Sequence, residues 1–168
     1  MSFLTALTLV HTLISLVAIV AGFVVMIGWL RQKPLERWTL VFLSTTIATS
    51  VTGFFFPFVR FLPSHAFGIL SLLILPVACV ARYKYHLAGR ARWLYTVTSV
   101  IALYLNMFVL IVQSFQKVPA LHALAPTQSE PPFAIAQGLN LVLFVWLGIA
   151  TTRKAKATVA GMATATAA

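Results

Sequence analysis

The chain has 168 residues, of which 61% are hydrophobic and only 8% are charged, and its formal net charge is +10. A soluble domain carries about 25% charged residues, and a chain this short has too much surface to hide so much apolar area. The composition therefore excludes an ordinary soluble fold and indicates an integral membrane protein. The twelve Lys and Arg residues lie in short clusters between apolar runs. Such clusters are typical of membrane-flanking loops rather than of a nucleic-acid-binding surface.

Five apolar runs are long enough, or nearly so, to cross a hydrocarbon core that takes about 20 helical residues. They predict one domain, residues 1–152, that is an all-α bundle of five transmembrane helices. The predicted spans are residues 4–30, 39–58, 67–83, 93–115 and 133–152. The third span is the shortest and contains Pro76, which predicts a kink. Short connections favour antiparallel neighbours in an up-down order.

The distribution of Lys and Arg gives these spans a direction. Ten of the twelve fall on one side, and only Arg60 and Lys117 fall on the other. Because cytoplasmic loops carry the excess of basic residues, this split predicts an N-terminus outside and a C-terminus in the cytoplasm. The basic clusters are expected to contact anionic lipid head groups. Residues 153–168, rich in Ala and Thr, are predicted to form a disordered cytoplasmic tail.

Hydroxyl side chains crowd the second predicted span. They are Ser44, Thr45, Thr46, Thr49, Ser50 and Thr52. Hydroxyls can bond to a carbonyl one turn earlier, and small residues let helices approach closely. The pattern favours a packing surface, either for neighbouring helices or for another copy of the chain in a homo-oligomer. A hydroxyl-lined path in a small oligomeric channel or transporter is the alternative interpretation.

Amide side chains mark a candidate ligand pocket in the outer half of the predicted bundle. Ser99, Asn106 and Gln113 are seven residues apart on one face of the fourth span. Gln137 and Asn140 share a face of the fifth span. Polar groups within lipid are costly, so each needs a partner or a purpose. These amides either bond to one another across helices or line a pocket.

Histidines extend the same candidate pocket. His11 is predicted near the outer boundary of the first span, and His65 and His122 in outer loops. His122 lies in residues 117–132, a segment whose four prolines predict a stiff connection without regular helix. A quinone-, haem- or metal-binding redox subunit would use a larger set. That set is His11, Asn106, Gln113, His122, Gln137 and Asn140. Interfacial, hydrogen-bonding histidines are the alternative, because none stands in a ligand-spacing motif.

The segments 48–58, 104–113 and 113–133 read ATSVTGFFFPF, YLNMFVLIVQ and QSFQKVPALHALAPTQSEPPF. Together they resemble a family of small bacterial inner-membrane proteins of uncharacterised function, over most of the chain from the second span onward. The resemblance implies a multi-pass protein of the bacterial plasma membrane and carries no catalytic or ligand assignment.

Acidic residues are too few to support buried acid-base catalysis. The chain has no Asp, and Glu36 and Glu130 are both predicted in loops. The sequence therefore favours a non-enzymatic subunit or a self-associating membrane protein over an enzyme. It leaves the cofactor, if any, open.

Overall fold

The computed structural model describes residues 2–33, 35–57 and 63–166. These residues form six α-helices, with no strand among them. The helices are α1 (Phe3–Leu30), α2 (Glu36–Thr52), α3 (Pro63–Cys79), α4 (Arg90–Lys117), α5 (Pro119–Leu124) and α6 (Pro131–Thr166). A 3₁₀ turn, Gly53–Phe55, extends α2, and a π-helical turn, Val80–Lys84, extends α3.

Five helical segments are long and apolar enough to cross a membrane, which confirms the predicted all-α fold and its five spans in the described part of the chain. The segments are Phe3–Leu30, Glu36–Phe55, His65–Lys84, Arg90–Lys117 and Pro131–Lys154. Glu36, predicted in a loop, is instead the first residue of α2. Phe58, the predicted end of the second span, lies outside the described residues. The direction of the bundle across a membrane stays a prediction.

Helix α4 occupies the centre of the bundle. It packs against α1, α3, α5 and α6, while α1 and α2 form the most extensive antiparallel pair. The core between them is built from large side chains such as Phe42, Leu75, Tyr95 and Leu103, each no more than 1% exposed. Gly22 of α1 lets three helices meet there, because a Cβ atom at this position would lie 2.5 Å from Leu103 and 2.9 Å from Phe42. Contacts of α1 with both α4 and α6 close the bundle.

The alternating directions of the spans give the bundle two ends. The N-terminal end holds the start of α1, the end of α2, the starts of α3 and α6, and all of α5. The basic end holds the end of α1, the start of α2, the π-helical turn and the start of α4. Seven of the basic residues described lie in these four segments and their connections. They are Arg31, Lys33, Arg37, Arg82, Lys84, Arg90 and Arg92.

Two tight turns shape the basic end. The chain leaves α1 through a Schellman motif, in which Lys33 N–H donates to the Gly28 carbonyl and Gln32 N–H donates to the Trp29 carbonyl. Gln32 has φ +56° there, a conformation that usually selects glycine. The π-helical turn ends at Tyr85, whose N–H donates to the carbonyl of Val80. A wider turn of this kind redirects side chains relative to an α-helix, and π turns are frequent at functional sites.

The N-terminal end differs from the prediction in one element. Residues 117–132 were expected to lack regular helix, but Pro119–Leu124 is helical. That expectation was wrong because proline breaks the interior of a helix yet suits its first turn, where the missing N–H has no partner to lose. Pro131 opens α6 in the same way.

Helix α6 continues to Thr166, well into residues 153–168 for which the composition predicts disorder. Alanine, frequent there, is the strongest helix former.

Candidate functional site

The site residues predicted from the sequence lie at different helix–helix interfaces near the N-terminal end of the bundle. His11 contacts α2, where its Nδ1 lies 2.9 Å from Thr52 Oγ1. Asn106 donates to Thr46 Oγ1 at 3.3 Å, and Gln137 donates to the Phe108 carbonyl at 3.2 Å. These contacts join α1 to α2, α4 to α2 and α6 to α4. No hydrogen bond between described residues links any two of the six predicted ligands.

The contact of His11 fixes the roles of its two ring nitrogens. The Thr52 hydroxyl donates its only hydrogen to the carbonyl of Ala48 at 2.7 Å. It therefore accepts from His11, which must carry its proton on Nδ1. The ring also packs edge-on against Phe56, with centroids 5.3 Å apart. His11 is thus engaged as a hydrogen-bonding residue between two helices.

The remaining predicted residues divide between the loop and α6. His122 lies exposed on α5, with Nδ1 3.3 Å from the carbonyl of Phe115. Gln113 is half-buried on α4. Asn140 is 5% exposed, and neither polar atom of its side chain has a hydrogen-bond partner among the described residues. Within the same residues, no three His, Cys, Asp or Glu side chains come close enough to hold a metal ion. A shared cofactor site for the six stays a prediction.

The hydroxyls of α2 bond mainly within their own helix. Ser44 and Thr45 donate to the Val41 carbonyl, and Ser50 donates to that of Thr46. Ser15 of α1 donates to the His11 carbonyl at 2.7 Å, and its oxygen lies 3.3 Å from Thr49 Oγ1 across the seam. The hydroxyls of Ser44, Thr45 and Ser50 are thus satisfied within α2, while a polar path along this helix stays an untested alternative.

The densest polar cluster is at the basic end, centred on Arg82 of the π-helical turn. The Arg82 side chain is 4% exposed, and its Nη2 donates to Glu36 Oε2, whose side chain is 77% exposed. The guanidinium carbon also lies 5.4 Å from the ring centre of Tyr95 and 5.7 Å from that of Tyr83. A charge buried this deeply is stable only when it is paired and hydrogen-bonded, so the surroundings of Arg82 must supply both.

Side chains from α1, α2 and α4 meet around Tyr95, whose ring lies against Arg82. Trp29 of α1 packs against the Tyr95 ring with centroids 5.4 Å apart. The Tyr95 hydroxyl lies close to those of Thr39 on α2 and Ser99 on α4, so that the three can interact with one another. We call Trp29, Thr39, Arg82, Tyr95 and Ser99 the Arg82 centre.

Each member of the Arg82 centre carries a buried polar atom without a hydrogen-bond partner in the described chain. The atoms are Trp29 Nε1, Thr39 Oγ1, Arg82 Nη1, Tyr95 Oη and Ser99 Oγ. Buried polar groups are nearly always satisfied, by protein, water or ligand. Trp Nε1 and Arg Nη1 are donors only, and the three hydroxyls can also donate. Trp29 Nε1 and Arg82 Nη1 therefore each suit an acceptor oxygen, whereas the three hydroxyls can interact with one another.

A cleft leads from the surface to Arg82. Its volume is about 190 Å³, and Glu36, Arg82, Tyr83, His86 and Leu87 line it. His86 and Leu87 have φ of +46° and +59°, a region that side chains other than glycine seldom occupy. Such strained backbone clusters at functional sites. The cleft joins the buried cation to the outside, and it combines an ion pair, aromatic faces and unused donors.

Sequence reasoning missed this centre because it treated Arg82 as one of several loop charges. One signal was available. Arg82 lies inside the predicted third span, residues 67–83, so it belongs to the helix itself and not to a loop. Comparisons with protein-family models, with curated proteins and with solved structures each found no match for this chain.

Proposed function

We propose that this chain is a non-enzymatic, multi-pass membrane protein that binds an acceptor-bearing ligand at the Arg82 centre. The observation that carries the proposal is the burial of Arg82 with Nη1 unpaired among the described residues, in the wall of a cleft that is open to the surface. An arginine within a membrane helix is expensive to bury and marks a functional site more often than a structural one. The five apolar helices supply the membrane setting.

The orientation belongs to the same proposal. The basic end faces the cytoplasm, because it carries the excess of Lys and Arg that defines cytoplasmic loops. The N-terminus and the α5 segment then lie outside. The resemblance to small bacterial inner-membrane proteins supports the bacterial plasma membrane as the location. The ligand would reach Arg82 from the cytoplasmic boundary of that membrane.

The proposal places the ligand at the opposite end from the pocket that the sequence suggests. Two amides of the N-terminal end, Asn106 and Gln137, bond to hydroxyl or backbone groups across helix seams. Interhelical bonds of this kind stabilise membrane bundles by about 0.6–2 kcal/mol each. We therefore assign His11, Asn106 and Gln137 to helix packing.

Native mass spectrometry of the full chain, purified in a mild detergent, tests the proposal. We expect the wild type to retain a small molecule that Arg82→Gln loses. Lys84→Gln is the matched control, since Lys84 is exposed, carries the same charge two residues away and does not line the cleft. Wild type without any bound molecule, or equal retention in Arg82→Gln, would contradict a ligand site at Arg82.

A further inference from the structure

We infer that the ligand of the Arg82 centre is the phosphate group of an anionic phospholipid. This inference rests on the proposed function and specifies the chemistry of its ligand. Three features of the cleft carry it: an unused end of the arginine fork, an apolar path along α3, and a ring of exposed cations at the same end of the bundle.

The geometry of the arginine selects a phosphate. A guanidinium presents its N–H donors in a planar fork that matches two oxygens of a phosphate or carboxylate at once. In Arg82 one end of the fork, Nη2, donates to Glu36, and the other end, Nη1, is buried without a partner in the described residues. A phosphate in the cleft that Arg82 lines would be the acceptor for this unpaired end of the fork.

The surroundings of the cleft suit a ligand with an acyl chain. Leu73, Val77 and Val80 are exposed side chains spaced four and three residues apart on α3 and its π-helical extension, so they form one apolar strip. Tyr83 follows three residues later, is half exposed, and lines the cleft. In a bilayer such a strip contacts acyl chains, and it runs along the helix toward the turn that holds Arg82. A phospholipid satisfies both the strip and the cleft, whereas a soluble phosphate ester satisfies only the cleft.

Exposed cations at the basic end favour a lipid with net negative charge. Glu36 neutralises Arg82 locally, so attraction over a distance must come from other residues. Those with exposed side chains near the cleft's end of the bundle are Arg31, Lys33, Arg37, Lys84 and Arg90. Basic residues at a membrane surface attract anionic lipid head groups. A zwitterionic choline lipid would bring a cation against this ring.

Glu36 acts as a competitor within this arrangement. Its carboxylate occupies the donor that a phosphate would use for a second bond, while its side chain is 77% exposed. Removing its charge would leave the whole fork available to the ligand. If the phosphate binds at Arg82, it should therefore bind more tightly to Glu36→Gln than to the wild type. Adding Arg82→Gln to that variant should remove the gain.

Titration of the delipidated full chain with defined lipids, followed by native mass spectrometry, tests the inference. The probes are phosphatidylglycerol, phosphatidylcholine with the same acyl chains, and inorganic phosphate. We expect phosphatidylglycerol to bind best and Arg82→Gln to weaken it about tenfold or more. Lys84→Gln, which removes one charge of the cation ring, should weaken it less than Arg82→Gln does. Lys117→Gln, which removes an exposed charge at the opposite end of the bundle, should change it by less than about twofold. Glu36→Gln is expected to strengthen it at least about threefold, which tests the site even if Arg82→Gln does not fold.

Four outcomes would overturn the inference. Equal weakening by Arg82→Gln and Lys84→Gln indicates diffuse charge attraction, and unchanged or weaker binding to Glu36→Gln means that Glu36 does not compete with the lipid phosphate. Binding of inorganic phosphate as tight as that of phosphatidylglycerol identifies a soluble anion. If instead a co-purified molecule that is not a phospholipid is lost only in Arg82→Gln, the lipid assignment fails while the ligand site at Arg82 stands.

Discussion

Arg82 is a cation that the fold buries although lysine and arginine residues all around it stay exposed. Its neighbours explain how this is tolerated, because Glu36 supplies the opposite charge and two tyrosine rings supply favourable π faces. They do not saturate its donors, since Nη1 remains buried without a protein partner in the described residues. At the scale of single residues, this mismatch between burial and satisfaction is what distinguishes a ligand site from a packing contact.

Gly22 tests how closely α1, α2 and α4 pack. Gly22→Ala places a methyl group against Leu103 and Phe42, both fully buried, so the neighbours must shift. We expect a loss of about 1–3 kcal/mol in unfolding free energy, the usual cost of overpacking a filled core. Gly138→Ala is the control, because nothing lies within 4 Å of the added atom. Thermal unfolding in detergent measures both, and equal stability of the two variants would refute close packing at Gly22.

Glu130 gives the loop before α6 a dependence on pH. Desolvation acts to raise its pKa, but hydrogen bonds from its own N–H, from Thr127 and from Ser129 outweigh this and hold the pKa below its ordinary value. The turn is therefore stabilised at any pH above the ordinary value and loses that stabilisation as the pH falls through the lowered pKa. We expect the Thr127 and Ser129 amide NMR signals to titrate with a midpoint below that of a free glutamate. Glu130→Gln should abolish the transition, and a midpoint at or above the ordinary value would contradict these contacts.

At the scale of elements, the turns at the basic end are what sequence patterns did not predict. Gln32 takes the left-handed position of a Schellman motif that usually holds glycine, and no known signature announces the π-helical turn after Cys79. The apolar runs fix where helices exist, because hydrophobic length is a strong signal in a membrane protein. Apolar runs say little about how a helix ends, and the π-helical turn at the end of α3 determines the direction of the Arg82 side chain.

The turn after α1 should be stabilised by a glycine at position 32, the residue that usually occupies this left-handed position. Gln32→Gly relieves a side chain from φ +56°, a conformation that costs L-residues about 1–2 kcal/mol. Part of that gain is offset by the greater freedom of glycine in the unfolded chain. We expect a net rise in unfolding free energy of up to about 1 kcal/mol, measured by thermal melting. A clear decrease would mean that the Gln32 side chain contributes a contact that outweighs the backbone strain.

The hydroxyls of α2 differ in their hydrogen bonds, because some join α2 to α1 and others bond only within α2. Thr52→Val removes the acceptor of the His11 proton, and we expect a loss of about 0.6–2 kcal/mol. Ser44→Ala should change stability little, since the Ser44 hydroxyl is exposed and donates within its own helix. Chemical unfolding in mixed micelles compares the two. Similar losses for both variants would refute the interhelical role of Thr52.

For the whole molecule, the sequence was sufficient for the spans but not for the site. Composition and apolar length predicted an all-α, five-span bundle because lipid tolerates few other solutions. The site depends on which helices meet, and α1, α2, α3 and α4 contribute to it through Trp29, Thr39, Arg82 and Tyr95 from distant parts of the chain. A single sequence holds no record of such contacts. The amide pattern at the N-terminal end was visible because it is periodic, and periodicity reports packing faces rather than ligands.

The direction of the bundle decides which side of the membrane supplies the ligand, and cysteine accessibility in intact cells tests it most directly. Ala88→Cys at the basic end and Ala123→Cys on α5 are both exposed positions, made in a Cys79→Ser background so that each chain has one thiol. We expect a membrane-impermeant maleimide to label Ala123→Cys in intact cells and Ala88→Cys only after permeabilisation. Labelling of Ala88→Cys in intact cells would place the Arg82 centre outside and contradict the account.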